Sequence, residues 1–179
     1  MNAAMSSWPA RMGVRTSGRP SFAAIAEEHL DAVYRYLLLM TRDRTTAEDL
    51  TGETFEKAFR SWRRFDPRRS APRTWLCHIA RNAALNHFRS EERRRRRETT
   101  YAAEGLESEE QPLEGLSAPL EIALAELSAG EREVLALRVL LELDGRAAAR
   151  VLGISPTACS TRLSRALQKL EEKVRDHGR

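Results

Sequence analysis

Cysteine is scarce in this chain: 179 residues hold only Cys77 and Cys159, far apart. There is no CxxC pair and no Cys/His cluster, which excludes a disulfide framework and a zinc site. Both cysteines fall at apolar helical positions, where a small buried hydrophobe is the expected role. The four histidines (29, 78, 87 and 177) are scattered. No phosphate-binding glycine loop, Ser/His/Asp set or paired carboxylate in a metal-ligand context occurs. These absences argue against an enzyme, such as a helical nuclease or hydrolase, and predict no metal, no cofactor and no small-molecule substrate. No apolar run approaches the length of a membrane span. Residues 1–20 scatter Arg, Pro, Gly and Ser without the apolar core of a signal peptide, so a disordered N-terminal extension and a cytoplasmic location are expected. Aromatics make up 6% of the chain, and Gly and Pro are sparse outside a few places. Ala, Leu, Arg and Glu dominate, the composition of an all-α protein.

Net charge is a modest +4, but its layout is uneven. Residues 60–97 carry thirteen arginines against three acids, a net +10. Residues 98–121 carry seven glutamates and no Lys or Arg, a net −7. A basic block of this kind suits a polyanion, and the acidic block does not. The run of five arginines at 93–97 would by itself also serve as a solubilising tail.

Helix signals divide the chain. Ser21 can cap a helix with apolar face Phe22, Ile25, Ala26, Leu30, Val33 and Leu37, ending near 41–43. Thr45 and Glu48 read as a capping box for a second helix, which carries Leu50, Phe55, Ala58, Phe59 and Trp62. Phe65, Asp66 and Pro67 break it, and Pro72 suits the first turn of a third helix running to about 96. Residues 98–119 hold two glycines, two prolines and most of the acids, and read as a flexible linker. A short helix is expected over 120–127, and Ser128 with Glu131 forms another capping box. Asp144 can cap a helix over 145–152, Gly153 allows a tight turn, and Ser155 with Pro156 opens a last helix to about 174. The expected division is an extension (1–20), a three-helix domain (21–97), a linker (98–119) and a second helical domain (120–176).

Two segments carry candidate chemistry. In TWLCHIARNAALNHFR (74–89), His78, Asn82, Asn86 and Arg89 recur at helical spacing as one polar stripe, opposite Leu76, Ile79, Ala80 and Ala83. Asn, His and Arg reach base edges and phosphates, although a solvated helix face has the same pattern. The second segment, AAARVLGISPTACSTRLSRALQKL, reads as a helix-turn-helix. Ile154, Cys159, Leu163, Ala166, Leu167 and Leu170 are expected inward; Ser160, Thr161, Ser164 and Arg165 outward, with Arg162 beside them. A plain helical hairpin would share the packing residues. The small hydroxyl and Arg face is what a groove-facing helix needs.

Together these segments resemble the extracytoplasmic-function (ECF) group of bacterial RNA polymerase sigma factors of the sigma-70 family. AEDLTGETFEKAF (47–59), RFDP (64–67) and TWLCHIARNAALNHFR (74–89) resemble their second conserved region. LSAGEREVLALRVL (127–140) and LGISPTACSTRLSRAL (152–167) resemble their fourth. The resemblance implies two small helical domains, one binding promoter and polymerase clamp and one a helix-turn-helix, joined by a flexible acidic linker. It implies three kinds of partner: RNA polymerase core, promoter DNA and an anti-sigma factor.

By that resemblance, Glu48, Asp49, Glu53 and Phe55 dock on the polymerase clamp, although such acids also suit a helix's first turn. Lys57, Ser61, Phe65, Asn82, Asn86 and Arg89 form the minus-ten DNA contact set. Ser160, Thr161, Arg162, Ser164 and Arg165 face the minus-thirty-five element. Six of the eleven aromatics lie within 55–88, where some could stack on unpaired bases and Trp62 and Trp75 suit a core. The pattern departs from the family at Gly52, where Gln is usual, and at residues 157–160, where a basic side chain is missing. The rival reading is a helix-turn-helix regulator that acts without core polymerase. It leaves the acidic and aromatic segment 47–59 without a task.

Overall fold

The computed structural model describes residues 20–98 and 117–177. Residues 1–19 of the expected extension (1–20) and residues 99–116 of the expected linker (98–119) lie outside the described residues. All regular structure among the described residues is helical.

Helix α1 (Phe22–Thr41) begins where the Ser21 side chain accepts a hydrogen bond from the Ala24 amide at 3.2 Å. It ends where Arg42 turns left-handed (φ 56°) and donates its backbone N–H to the Leu38 carbonyl. Its buried ladder is Ile25, His29, Val33, Tyr36, Leu37 and Met40. Leu30, expected inward, is 50% exposed. Ladder steps of three and four residues bury His29 instead and swing its neighbour about 100° away.

Helix α2 (Arg44–Ser61) starts earlier than the expected capping box. Asp43 is the cap, its carboxylate accepting from the Thr46 amide at 2.7 Å. Asp caps at least as well as Thr, and this start leaves Glu48 to pair with Arg44 at 3.0 Å. Ala47, Leu50, Thr51, Thr54 and Ala58 form its buried face. A short 3-10 turn (Trp62–Arg64) leads into the loop before α3 (Pro72–Glu98). The three helices pack on one another around Leu37, Leu76, Cys77 and Ala80. Burial pushes the Cys77 thiol up to about 12, so it stays a protonated packing group.

In the second set, α4 (Ala118–Ala125) begins two residues before its expected start. The Ser128–Glu131 capping box opens α5 (Ala129–Leu135) with both reciprocal bonds present. These bonds, the Ser128 backbone N–H foremost, hold the Glu131 carboxyl below its usual range. The chain then widens into a π turn (Ala136–Leu140), closed by the Leu141 amide donating to the Ala136 carbonyl at 2.9 Å. Val139 and Leu140 are exposed there, while Leu137 and Leu141 stay buried. Helix α6 (Gly145–Leu152) is capped by Asp144, as expected. Helix α7 (Pro156–His177) is the spine against which α4, α5 and α6 pack. Cys159 and Ala166 are buried on it, but Leu167, expected inward, is 45% exposed. It follows Ala166 by one residue and so lies about 100° off the buried ladder.

The two sets of helices also touch. Helices α1 and α3 meet α5, the π turn and α6, and one apolar cluster runs through both sets.

Candidate nucleic-acid interface

Helix α3 presents the polar stripe to solvent: His78, Asn82, Asn86 and Arg89 are all exposed. Leu76, Ala80 and Ala83 are buried behind them. The Asn82 amide nitrogen lies 3.3 Å from His78 Nδ1, which ties the two side chains together along the helix. The stripe continues into exposed arginines at 93–97. Not all of the basic block faces outward, however. Arg81 turns to Glu133 with Nε at 2.7 Å, and Arg73 donates to the Leu141 carbonyl at 3.1 Å. Their positive charge is spent on the second set of helices.

The end of α2 and the following loop divide the other minus-ten candidates. Lys57 is exposed and donates to Glu53, one turn earlier. Ser61 is half-buried at the helix end. Phe65 corrects the expectation, because its ring is only 7% exposed. It stacks on Trp62 (centroids 5.1 Å apart, planes 9° apart) and tilts against Trp75 at 4.8 Å. Buried against both tryptophans, Phe65 offers no open face to a base. The three rings anchor the loop that carries Arg63, Arg64, Arg68 and Arg69 to the surface.

The opposite side of α2 is acidic. Glu48, Asp49, Gly52 and Glu56 are exposed and Glu53 is half-exposed, all on the face turned away from Ala47, Leu50 and Ala58. Phe55 sits at the edge of this face, packed edge-on to Phe22 at 6.5 Å. Phe59 was expected among the apolar packing residues, yet it is 66% exposed. It lies three turns beyond Glu48 on the same outward face, with Phe22 edge-on to its ring at 5.4 Å. The helical phase of Asp49, Gly52 and Glu56 was the signal that could have placed it there.

The turn between α6 and α7 has the geometry of a helix-turn-helix. Gly153 adopts φ 68°, a left-handed conformation that favours glycine. The Ile154 amide donates back to the Ala149 carbonyl at 3.0 Å, and Ser155 caps α7 by accepting from the Ala158 amide at 3.1 Å. Ser160, Thr161, Ser164 and Arg165 are exposed in one patch on the first half of α7. Arg162 is half-buried and leans over the start of α5, where a Cβ added to Gly130 would lie 3.5 Å from its Nη1. Its guanidinium is therefore partly committed to packing. A carboxylate on the supporting helix completes the arrangement: the Ala147 amide, with that of Arg146, holds the Asp144 carboxyl below its usual range.

An outward amide-and-arginine stripe, a separate acid face and an exposed helix-turn-helix thus occupy one chain. Comparison with known proteins agrees with that combination. The Sigma-70 region 2 family matches residues 25–94, and the Sigma-70, region 4 family matches residues 118–170. The chain is 34% identical over 164 residues to the ECF RNA polymerase sigma factor BldN of Streptomyces coelicolor, covering 89% of this chain and 62% of that relative's length. It is 32% identical over 154 residues to the ECF RNA polymerase sigma factor SigM of Bacillus subtilis, covering 82% of this chain and 91% of SigM. The fold is that of the sigma factor RpoE from Bartonella quintana, solved with the anti-sigma factor NepR, at a TM-score of 0.73 and 24% identity over 86% of this chain and 96% of that one. With both regions matched in order and a relative such as SigM covered nearly end to end, the chain belongs to the ECF sigma factors of the sigma-70 family.

Proposed function

We propose that this chain binds RNA polymerase core and directs it to promoters, recognising and melting promoter DNA so that transcription can begin. Residues 21–97 serve as the clamp- and minus-ten-binding unit and residues 120–176 as the minus-thirty-five unit. The observation that carries this reading is the coexistence of an acid face on α2 with two separate DNA-type faces, on α3 and α7. A regulator acting without polymerase has no use for the first.

The acid face of α2, with Glu48, Asp49 and Glu53, meets a basic surface of the polymerase, and exposed Phe59 adds an apolar anchor beside them. Phe55 backs the anchor from the edge of the face. Asn82 and Asn86 read bases lifted out of the duplex, while Lys57, Ser61, Arg89 and the 93–97 arginines follow the phosphate backbone. Unstacking a base costs on the order of a few kcal/mol, which amide hydrogen bonds and a basic groove can offset. The chain need form and break no covalent bond: it captures bases exposed by fluctuation, and catalysis belongs to the polymerase. Ser160, Thr161, Ser164 and Arg165 enter the groove at the minus-thirty-five element, with Arg162 at the rim. Arginine contacts to phosphate make binding steeply salt-dependent. The partners are core polymerase, promoter DNA and an anti-sigma protein. Among the described residues no helix is long and apolar enough to cross a membrane.

In vitro transcription with core polymerase and a genomic promoter library tests the proposal. Specific initiation that requires the chain is the expected result. Failure to co-purify with core, together with retained duplex binding, would favour the polymerase-independent regulator.

A further inference from the structure

An aromatic patch stands open to solvent beside the acid face of α2. Phe59 is 66% exposed, with the Phe22 ring 5.4 Å from it, and the half-buried rings of Phe22 and Phe55 form the floor of the patch. From Phe59 the outward side of the helix continues through Glu56 and Gly52 to Asp49 and Glu48. Apolar surface rimmed by charge in this way marks a place that another segment covers.

Phe22 also stands where the described chain begins. It is the first residue of α1, and Pro20 before it is exposed, so residues 1–19 are tethered at the edge of the patch. Those residues hold Met5, Trp8 and Met12, arginines at 11, 15 and 19, and no acid. The other stretch outside the described residues, 99–116, holds five glutamates and no Lys or Arg, so an acid face repels it. Charge therefore selects between the two.

We propose that residues 1–19 dock back along α2, with Trp8 covering Phe59 and Arg11, Arg15 and Arg19 meeting Glu48, Asp49, Glu53 and Glu56, so that the chain's own N-terminal segment competes with RNA polymerase core for this face. The competition rests on the proposed docking of core there; the self-docking does not. Reach is sufficient. Phe59 to Glu48 spans about 16 Å of helix at 1.5 Å per residue, and the stretch from Trp8 to Pro20 extends to ~40 Å. Arg44, Lys57 and Arg60 already pair with Glu48, Glu53 and Glu56 within α2. Such exposed pairs are weak, and an arriving guanidinium shares or replaces them at little cost. A tether of this length gives an effective concentration on the order of 1 mM. A contact too weak to hold a free peptide then keeps the tethered segment down, while a partner of higher affinity still displaces it.

The test is NMR on the isotope-labelled full chain, with circular dichroism to verify that each variant keeps wild-type helicity. Trp8→Ser, and Arg11→Glu with Arg15→Glu and Arg19→Glu, are expected to shift the amide signals of Gly52, Glu56 and Phe59 and to leave those of α7 in place. Phe59→Ser is expected to move the Trp8 indole signal in return. High salt should weaken the arginine contribution, because it is electrostatic. Signals unchanged in all the variants overturn the docking, as do shifts that grow with protein concentration, which assign the patch to a second copy. In a titration with core polymerase, Trp8→Ser should bind several-fold more tightly than the parent chain, since a covered face lowers apparent affinity by the fraction of time it is open. Equal affinity overturns the competition. Absence of core binding in parent and variant alike refutes the promoter reading and the competition with it, while the NMR result alone decides the docking.

Discussion

Gly52 offers a direct test of how α2 is built. It sits mid-helix, and glycine there is less favourable than alanine by about 0.8–1.0 kcal/mol, mainly through the backbone freedom lost on folding. Such a glycine is often kept because something approaches the backbone. Nothing does here: a Cβ built on Gly52 meets no atom within 4 Å, and the residue is exposed. Gly52→Ala should therefore recover nearly the whole difference, about 1 kcal/mol, with no offsetting clash. For a cooperative unit of this chain's size that raises Tm by about 2–4 °C. Gly52→Gln should gain somewhat less, since Gln ranks just behind Ala, and it adds a polar group to the acid face. Thermal unfolding followed by circular dichroism reads the stability, and a titration with core polymerase reads the docking. Gly52→Gln is expected to stabilise the chain and tighten core binding, whereas Gly52→Ala should only stabilise it. A fall in Tm for both variants would show that the backbone at position 52 needs glycine after all. Stabilisation with core binding weakened by Gln would remove Gly52 from the docking face.

Further outcomes follow from other sites. Asp49→Arg and Phe59→Ser should each weaken core binding with melting unchanged, since both side chains lie outside the core; native affinity in both would reject the acid face as the docking surface. Asn82→Ala and Asn86→Ala should slow open-complex formation more than initial duplex binding, and equal losses at both stages would count against them as readers of unpaired bases. Ser128→Ala removes an observed capping-box acceptor and should cost about 1 kcal/mol in a urea titration; no change would mean that the box adds nothing. Burial, with Arg73 nearby and only partly opposed by Glu28, holds the His29 imidazole below its usual range, and its Nδ1 is buried without a hydrogen-bond partner. Its contribution is complete above about pH 6.5 and is lost as pH falls toward the lowered value, because the unfolded chain takes up the proton first. His29→Leu should flatten the stability profile in that window, and an unchanged slope would assign the titration to another group.

Much of this protein is written locally. Helix positions followed from periodicity and punctuation: Ser21, Ser128, Asp144, Gly153 and Ser155 act where short-range rules put them, because caps and tight turns are settled within four residues. The polar stripe on α3 and the outward patch on α7 were legible for the same reason, since helical phase decides them. The errors were errors of phase or of competition between neighbouring residues. Leu30, Phe59 and Leu167 lie about one residue off their buried ladders, and Asp43 displaced Thr45 as a cap. Phe65 could not be placed from its own segment, because its burial depends on Trp62 and on Trp75, which comes from the following helix. Above all, no local rule marks which arginines of a basic block meet solvent. Arg73 and Arg81 carry the same sequence signature as Arg89, yet they turn to Leu141 and Glu133 across the seam. Composition and periodicity determined the helices and their outward chemistry. The pairing of Glu133 with Tyr36 and Arg81 was decided only by tertiary packing, because it joins side chains 97 and 52 residues apart.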